Sequence, residues 1–282
     1  MISTFNRLAS GSLLKTINLA LTVCISFFMM PFIINILGDK WYGLWVLIGS
    51  LMGYYMGLDF GLLSAIQRYL ARSLENTDEL NRIINTSLII LTILSIGAAL
   101  LCIIFWVITP HLINEEDAIP TMRQLVIILG IKTVVSFPFM VFNGMLSAKI
   151  RFDITSYIGI SKSLLRTLLI IIYLNSGYGI VSLAIITLCA EIFAFVLIAI
   201  QANKLFPQIS YKREYFDWEL AKTMLHFGKF TFIGDVSNLL KFKIDDFIIA
   251  NYIGLASITI YTIAFSLFNY ALQLINAMLG GI

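Results

Sequence analysis

Charge is what this chain has least of. Only 12% of its 282 residues are Asp, Glu, Lys or Arg, while 59% are hydrophobic and the mean hydropathy is +0.92. A soluble domain is about 25% charged, so too little polar surface exists here to solvate a globule of this size. Cysteine is scarce too: Cys24, Cys102 and Cys189 each fall in an apolar run, far apart, with no CxxC or Cys/His spacing. That excludes a disulfide framework and a zinc site, and predicts three buried small apolar side chains. A G-x-x-x-x-G-K-[ST] loop is absent, which excludes nucleotide binding by that route, and nothing calls for a metal, a cofactor or a nucleic-acid partner. His111 and Glu116 share a short acidic stretch without glycine-rich or basic support, so an acyltransferase is set aside; His226 stands alone and is no metal ligand. The first apolar run, Leu13 to Leu37, is too long for a cleavable signal core and lacks a small-x-small site after it.

What the chain has instead is long apolar runs. A hydrocarbon core about 30 Å thick takes roughly 20 helical residues. By that measure helices are predicted at 13–37, 41–63, 83–108, 122–145, 154–174, 180–200, 227–253 and 258–282. The fold class is therefore an all-α integral membrane protein, a polytopic helical bundle of about eight spans. Pro31 and Pro138 lie inside spans one and four, where a freed carbonyl is tolerable only beside protein or water. With the N-terminus in the cytosol, the inner segments hold eleven basic residues, Arg7, Lys15, Arg68, Arg72, Arg82, Lys149, Arg151, Lys204, Lys212, Arg213 and Lys222. The outer segments hold Lys40 and Arg123 plus the acidic Glu115, Glu116 and Asp117. This asymmetry orients the bundle with its N-terminus in the cytosol.

Three parts follow: a lobe of six helices over 1–200, a cytosolic connector over 201–226, and the start of a second lobe over 227–282. Asp217 to Lys222 in the connector is predicted as a short amphipathic helix on the membrane surface. A faint echo links the two lobes. Span one ends in Ile36-Leu37-Gly38 with Tyr42 beyond, and span seven in Tyr252-Ile253-Gly254 with Tyr261 beyond. Parallel repeats of this kind place a substrate path between lobes. The polar flank that usually follows a span is missing after Leu279-Gly280-Gly281, which predicts that these residues are the front part of a longer protein.

Charges inside the spans carry the functional signal. One charge at bilayer depth costs about 2.5 kcal/mol or more. Span seven nevertheless holds Lys229, Asp235, Lys241, Lys243, Asp245 and Asp246, and Asp235, Asn238, Lys241 and Asp245 draw one polar stripe. Lys162 and Arg166 lie four apart on one face of span five, and Lys132 sits mid-span in helix four. Lys132, Lys162, Arg166 and Lys241 are the candidate anion-binding residues. Arginine grips a pair of phosphate oxygens, and lysine acts as a point charge. Glu191, a lone acid in span six, is a candidate for ion coupling together with Asp235 and Asp245. Arg68 and Arg72 are candidates at substrate entry. Blander readings stay open: snorkelling of Lys162 and Arg166 toward the interface, pairing of Lys241 with Asp245 and Lys243 with Asp246, headgroup anchoring by Arg68 and Arg72, and a turn role for Asp59.

The run Pro31…Leu37-Gly38…Tyr42-Gly43, then Leu58-Asp59-Phe60-Gly61-Leu62 and Arg68, resembles the start of bacterial polysaccharide flippases. These are the O-antigen and capsule repeat-unit transporters of the multidrug/oligosaccharidyl-lipid/polysaccharide superfamily. Phe227-Gly228, Asp245…Ile249…Tyr252-Ile253-Gly254…Tyr261…Ala264 is similar to that family's seventh helix and its exit. The resemblance implies a two-lobed transporter bundle of about 12–14 helices working by alternating access. It also implies a substrate, an oligosaccharide joined through pyrophosphate to undecaprenol, and company among membrane lipids, a polysaccharide polymerase and glycosyltransferases. It implies a transporter and not an enzyme. The rivals are a multidrug and toxin extrusion antiporter, a lipid II flippase of the same fold, and a membrane enzyme such as a sugar polymerase or ligase. Lys132, Lys162 and Arg166, with no acid in spans four and five, argue against a cationic cargo.

Overall fold

The computed structural model describes the backbone of residues 2–56 and 61–279; the side chains of 1–13, 15, 54–60, most of 227–243 and most of 271–282 lie outside the description. Its regular structure is helical: α1 (Ile2–Leu37), α2 (Asp39–Met56), α3 (Leu62–Arg72), α4 (Thr77–Ile108), α5 (Ile119–Ala148), α6 (Phe152–Asn175), α7 (Ile180–Leu205), α8 (Trp218–Tyr252) and α9 (Leu255–Leu279). Among the described residues, five stretches are long and apolar enough to cross a membrane, in α1, α4, α5, α6 and α7, and a shorter apolar helix spans Leu255–Tyr270 in α9. Along α4 the apolar side chains Ile93, Ile96, Leu100, Ile103 and Val107 form a stripe, each more than half exposed. A water-facing helix would bury such a stripe, so this surface belongs against hydrocarbon. The chain is a multi-pass membrane protein.

The connections between helices gather into two unlike ends of the bundle. One end gathers residues 109–118 with the α8–α9 turn and is acidic; the other gathers residues 73–76, 149–151 and 206–217 and is basic. The echo between spans one and seven has a backbone counterpart. Gly38 closes α1 with φ +82° and Gly254 closes α8 with φ +120°, and each leads at once into the next helix. Both conformations favour glycine. Pro31 and Pro138 both lie inside α-helices.

Three expectations need correction. Span two is not one unbroken helix: α2 is described as far as Met56, and Gly61, in a left-handed conformation, precedes the start of α3 at Leu62. The predicted Asp59 turn lies outside the described residues. Within α3, Leu62, Ala65, Ile66 and Leu70 are buried at helical spacing and Arg68 and Arg72 are exposed, so the segment is amphipathic and not a continuation of an apolar span. The segment 217–222 is not a separate surface helix either. Asp217 caps α8, its Oδ1 accepting from the backbone N–H of Glu219 at 2.9 Å and Leu220 at 3.1 Å, and the helix then runs on to Tyr252. The cysteines are not core residues: Cys24 and Cys189 are exposed and Cys102 is half-buried.

The connector before α8 is pinned, not loose. Asn81 accepts from the N–H of Ser210 at 2.8 Å, and Asn85 accepts from the N–H of Lys212 at 2.9 Å while donating to the Ser210 carbonyl at 2.9 Å. Thr86 accepts from the N–H of Asp217 at 3.0 Å. All three side chains are buried on α4, so they satisfy a stretch of chain that has no ladder of its own. Nearby, the Lys149 ammonium donates to the Leu205 carbonyl at the end of α7 and sits over the Phe206 ring at 4.1 Å. A cation at a helix C-terminus is favourable, although burial pushes the Lys149 pKa down.

Candidate functional site

A cavity of about 440 Å³ lies inside the bundle between α2, α3, α5 and α7. The α5 side chains Lys132, Ser136, Met140 and Asn143 recur at helical spacing and form one wall. Glu191 and Phe195, one turn apart on α7, form another, with Phe195 stacked on Phe139 at 5.2 Å between ring centroids. Gly49, Met52 and Gly53 on α2 form the third wall, in which the methionine is the one bulky side chain. The result is an apolar chamber with one cation, one carboxylate and a few neutral hydrogen-bonding groups.

Of the sequence-predicted residues, Lys132 and Glu191 line this cavity, while Lys162 and Arg166 are not among its lining residues. Lys162 reaches Glu191 from α6, its ammonium 3.0 Å from Oε1 and 3.2 Å from Oε2. Glu191 is therefore not the isolated acid its sequence position suggests, and the cations of α5 and α6 do have an acid beside them. Lys132 lies within the field of Glu191, Lys162 and Arg166. Arg166 is one turn beyond Lys162, with its Nε buried and without a hydrogen-bond partner. Three cations and one carboxylate thus share one region of the bundle. In a low-dielectric setting such charges persist only when they satisfy one another or a ligand.

A second set of polar contacts docks α8 and α9 onto the rest of the bundle at its acidic end. Glu115 Oε1 accepts from the N–H of Leu255 at 2.9 Å, at the start of α9. Asn114 donates to the Asn251 carbonyl at 2.6 Å, and the Thr259 hydroxyl donates to the Asp39 carbonyl at 2.7 Å. Lys40 pairs with Asp117 at 2.5 Å; that hydrogen bond holds the Asp117 carboxyl below its usual pKa. Deeper in, buried Ser50 donates to buried Asp246, and the Tyr261 hydroxyl donates to Asp245 at 2.7 Å. Asp245 is accordingly occupied by a neighbouring helix. A Cβ on Gly43 would sit 1.9 Å from the Leu255 carbonyl oxygen, so only glycine lets α2 and α9 approach this closely. The residues Lys40, Glu115, Asp117, Asp245 and Asp246 stood out in the sequence as charges, but their partners did not, because Asn114, Ser50, Thr259 and Tyr261 are ordinary polar residues and the other acceptors are backbone groups. Lys241 and Asp235 sit on α8, but their side chains lie outside the described residues. Arg68 and Arg72 are exposed on α3, near the basic end and away from the cavity walls.

The family described as "Polysaccharide biosynthesis protein" matches residues 55–282, most of the chain. The chain belongs to this family. No curated protein matches it. Among solved structures it is similar to the outward-facing conformation of a multidrug resistance MATE family transporter of the MOP superfamily, with a TM-score of 0.65 at 18% identity. The match covers 82% of this chain and 52% of that one, so the chain spans about half the length of the transporter it resembles. Membership in the polysaccharide biosynthesis family and this transporter fold agree with the resemblance drawn from the sequence. They leave the cargo to be argued from the cavity.

Proposed function

We propose that this protein flips an undecaprenyl-pyrophosphate-linked oligosaccharide from the inner to the outer leaflet of a bacterial cytoplasmic membrane during surface polysaccharide assembly. The observation that carries this reading is that Lys132 lines a cavity inside the bundle of a polysaccharide biosynthesis protein, with Lys162 reaching the lining residue Glu191 from behind and Arg166 one turn further along α6. A pyrophosphate diester is a compact anion with many acceptor oxygens, which suits a bidentate guanidinium and two ammonium point charges. Neutral groups such as Ser136 and Asn143 and the stacked Phe139–Phe195 pair offer the hydrogen bonds and apolar faces a sugar uses. Positive-inside orientation puts the basic end and Arg68 and Arg72 at the cytosolic face, where the cargo enters. Alternating access then consists of rocking the lobe that begins with α8 and α9 against α1–α7, making and breaking the acidic-end contacts. A polymerase and glycosyltransferases are the expected partners in the membrane.

The test is complementation in a strain lacking its own flippase, with each variant at matched membrane abundance. Arg166→Ala removes a planar two-oxygen grip, and Arg166→Lys keeps charge without that geometry. A hydrogen bond to a charged group contributes about 1.5–3 kcal/mol, so displayed polysaccharide falls about tenfold or more for Arg166→Ala and for Lys162→Ala. Lys162→Arg is tolerated. Unchanged display in the Arg166→Ala, Lys162→Ala double variant defeats the anionic-cargo reading. Glu191 on the cavity wall gives the rival, an organic cation antiporter, its one foothold; under that rival Glu191→Gln abolishes export while the cation variants leave it intact.

A further inference from the structure

Glu191 stands between the cavity and Lys162. Its carboxylate lines the chamber, and both of its oxygens lie within 3.0–3.2 Å of the Lys162 ammonium, which approaches from α6 and is not itself among the lining residues. Among the described residues, Lys162 from α6 pairs with it and Lys132 from α5 shares its field, and Arg166, one turn beyond Lys162, acts on the same Lys132. An anion entering the cavity therefore meets Lys132 directly and finds the second cation already occupied by a resident carboxylate. We propose that Glu191 is an internal stand-in anion: it holds Lys162 in the empty protein and is exchanged for one phosphate of the cargo when the cavity fills. This inference rests on the anionic-cargo reading and assigns Glu191 a place within it.

Charge and geometry both support the exchange. Three cations and one carboxylate leave a net charge of +2 in this region. A pyrophosphate diester bears one negative charge on each of its two phosphates, so bound cargo and the four protein charges together come to zero. Glu191 is partly solvent-accessible, with 18% of its side chain exposed, so its carboxylate has open space to turn into. In the empty state the pair spares Lys162 an uncompensated charge at membrane depth. In the loaded state a phosphate takes over that role, and Glu191 resets the site when the cargo leaves. The carboxylate thereby weakens resting affinity and favours release. It sets how tightly the headgroup is held, and does not itself grip it.

The experiment is a double-mutant cycle on anion affinity in the purified protein. The probe is farnesyl-diphospho-glucose, a short-chain pyrophosphate diester with no group titrating near neutral pH, measured by calorimetry in detergent. Glu191→Gln frees Lys162, and the dissociation constant is expected to fall about tenfold; Glu191→Asp, whose shorter side chain loosens the pair, gives a smaller fall. In a Lys162→Ala background, Glu191→Gln is expected to change the constant by less than about twofold, because there is no cation left to release. Equal tightening with and without Lys162 overturns the proposal, since the carboxylate would then act only through its general field. No tightening, or weaker binding, in a monodisperse Glu191→Asp sample overturns it as well, because the pair would then be structural. If Lys132→Ala, Lys162→Ala and Arg166→Ala all bind the probe like the parent protein, the anionic-cargo reading itself fails, an outcome distinct from the other two.

Discussion

Asn85 is the side chain whose loss should be felt most clearly outside the cavity. Its amide donates to the Ser210 carbonyl and accepts from the Lys212 N–H, both at 2.9 Å, while Asn81 one turn earlier holds the Ser210 N–H. Asn85→Ala deletes both bonds to the connector, along with a bond to the Asn81 carbonyl of its own helix, and leaves a carbonyl and an N–H of the connector facing α4 unpaired. Each net bond contributes about 1 kcal/mol, and an unsatisfied part-buried group adds a further penalty of about 1 kcal/mol. Local opening of 208–213 is thus favoured by about 2–3 kcal/mol, or roughly 30–150-fold in the open population. Lys212-Arg213 is itself a tryptic site, so initial cleavage rate in membrane vesicles reads that population directly. Asn85→Asp keeps the acceptor for Lys212 but turns a carboxylate oxygen toward the Ser210 carbonyl, and should be cleaved at least as fast as Asn85→Ala. Thr92→Val removes a hydroxyl that bonds only its own helix at Leu88 and should not change the rate. Cleavage of Asn85→Ala at the parental rate would refute the clamp and the inference that the connector is held by α4.

Gly43→Val places branched carbons against the Leu255 carbonyl, so α2 and α9 must separate; an Asn114→Cys, Asn251→Cys pair, whose parent side chain and carbonyl lie 2.6 Å apart, should crosslink readily in the parent background and poorly with Gly43→Val. Ile150 occupies the left-handed position of the turn after α5, at φ 55°, with the paired bonds Arg151 N–H to Leu146 and Ile150 N–H to Ser147 that normally go with glycine. Relief of about 1–2 kcal/mol of strain, less the entropy cost of glycine, makes Ile150→Gly about 0.5–1 kcal/mol more stable, checked as a rise in Tm.

Hydrophobic runs made most of the bundle legible, because length and apolarity alone decide whether a helix crosses a membrane. They failed where those two signals part company. Span two is as apolar as its neighbours up to Met56, but the period of burial changes at Gly61 and α3 becomes amphipathic, which a window of mean hydropathy cannot resolve. Asp217 was visible as a polar residue before Trp218, yet its role as the cap of a 35-residue helix depended on nothing breaking the chain at Phe227. In the cavity, Lys132, Lys162, Arg166 and Glu191 were all visible as charges at bilayer depth. Which of them meet was not, because the Lys162–Glu191 pair joins two helices across 29 positions of sequence. The clamp at Asn81, Asn85 and Thr86 and the seal at Glu115 and Asn114 left still less trace, since each satisfies a backbone group and backbone groups look alike in every sequence.

The central claim is that the cavity carries an anionic lipid-linked sugar and not a cation. Proteoliposomes containing the purified protein, loaded in one leaflet with a fluorescent undecaprenyl-pyrophosphate oligosaccharide and, separately, offered a quaternary ammonium dye, measure this most directly. The account predicts that the lipid changes leaflet, that Arg166→Ala with Lys162→Ala stops it, and that the dye stays where it was placed. Export of the dye with the lipid left in its original leaflet would contradict it.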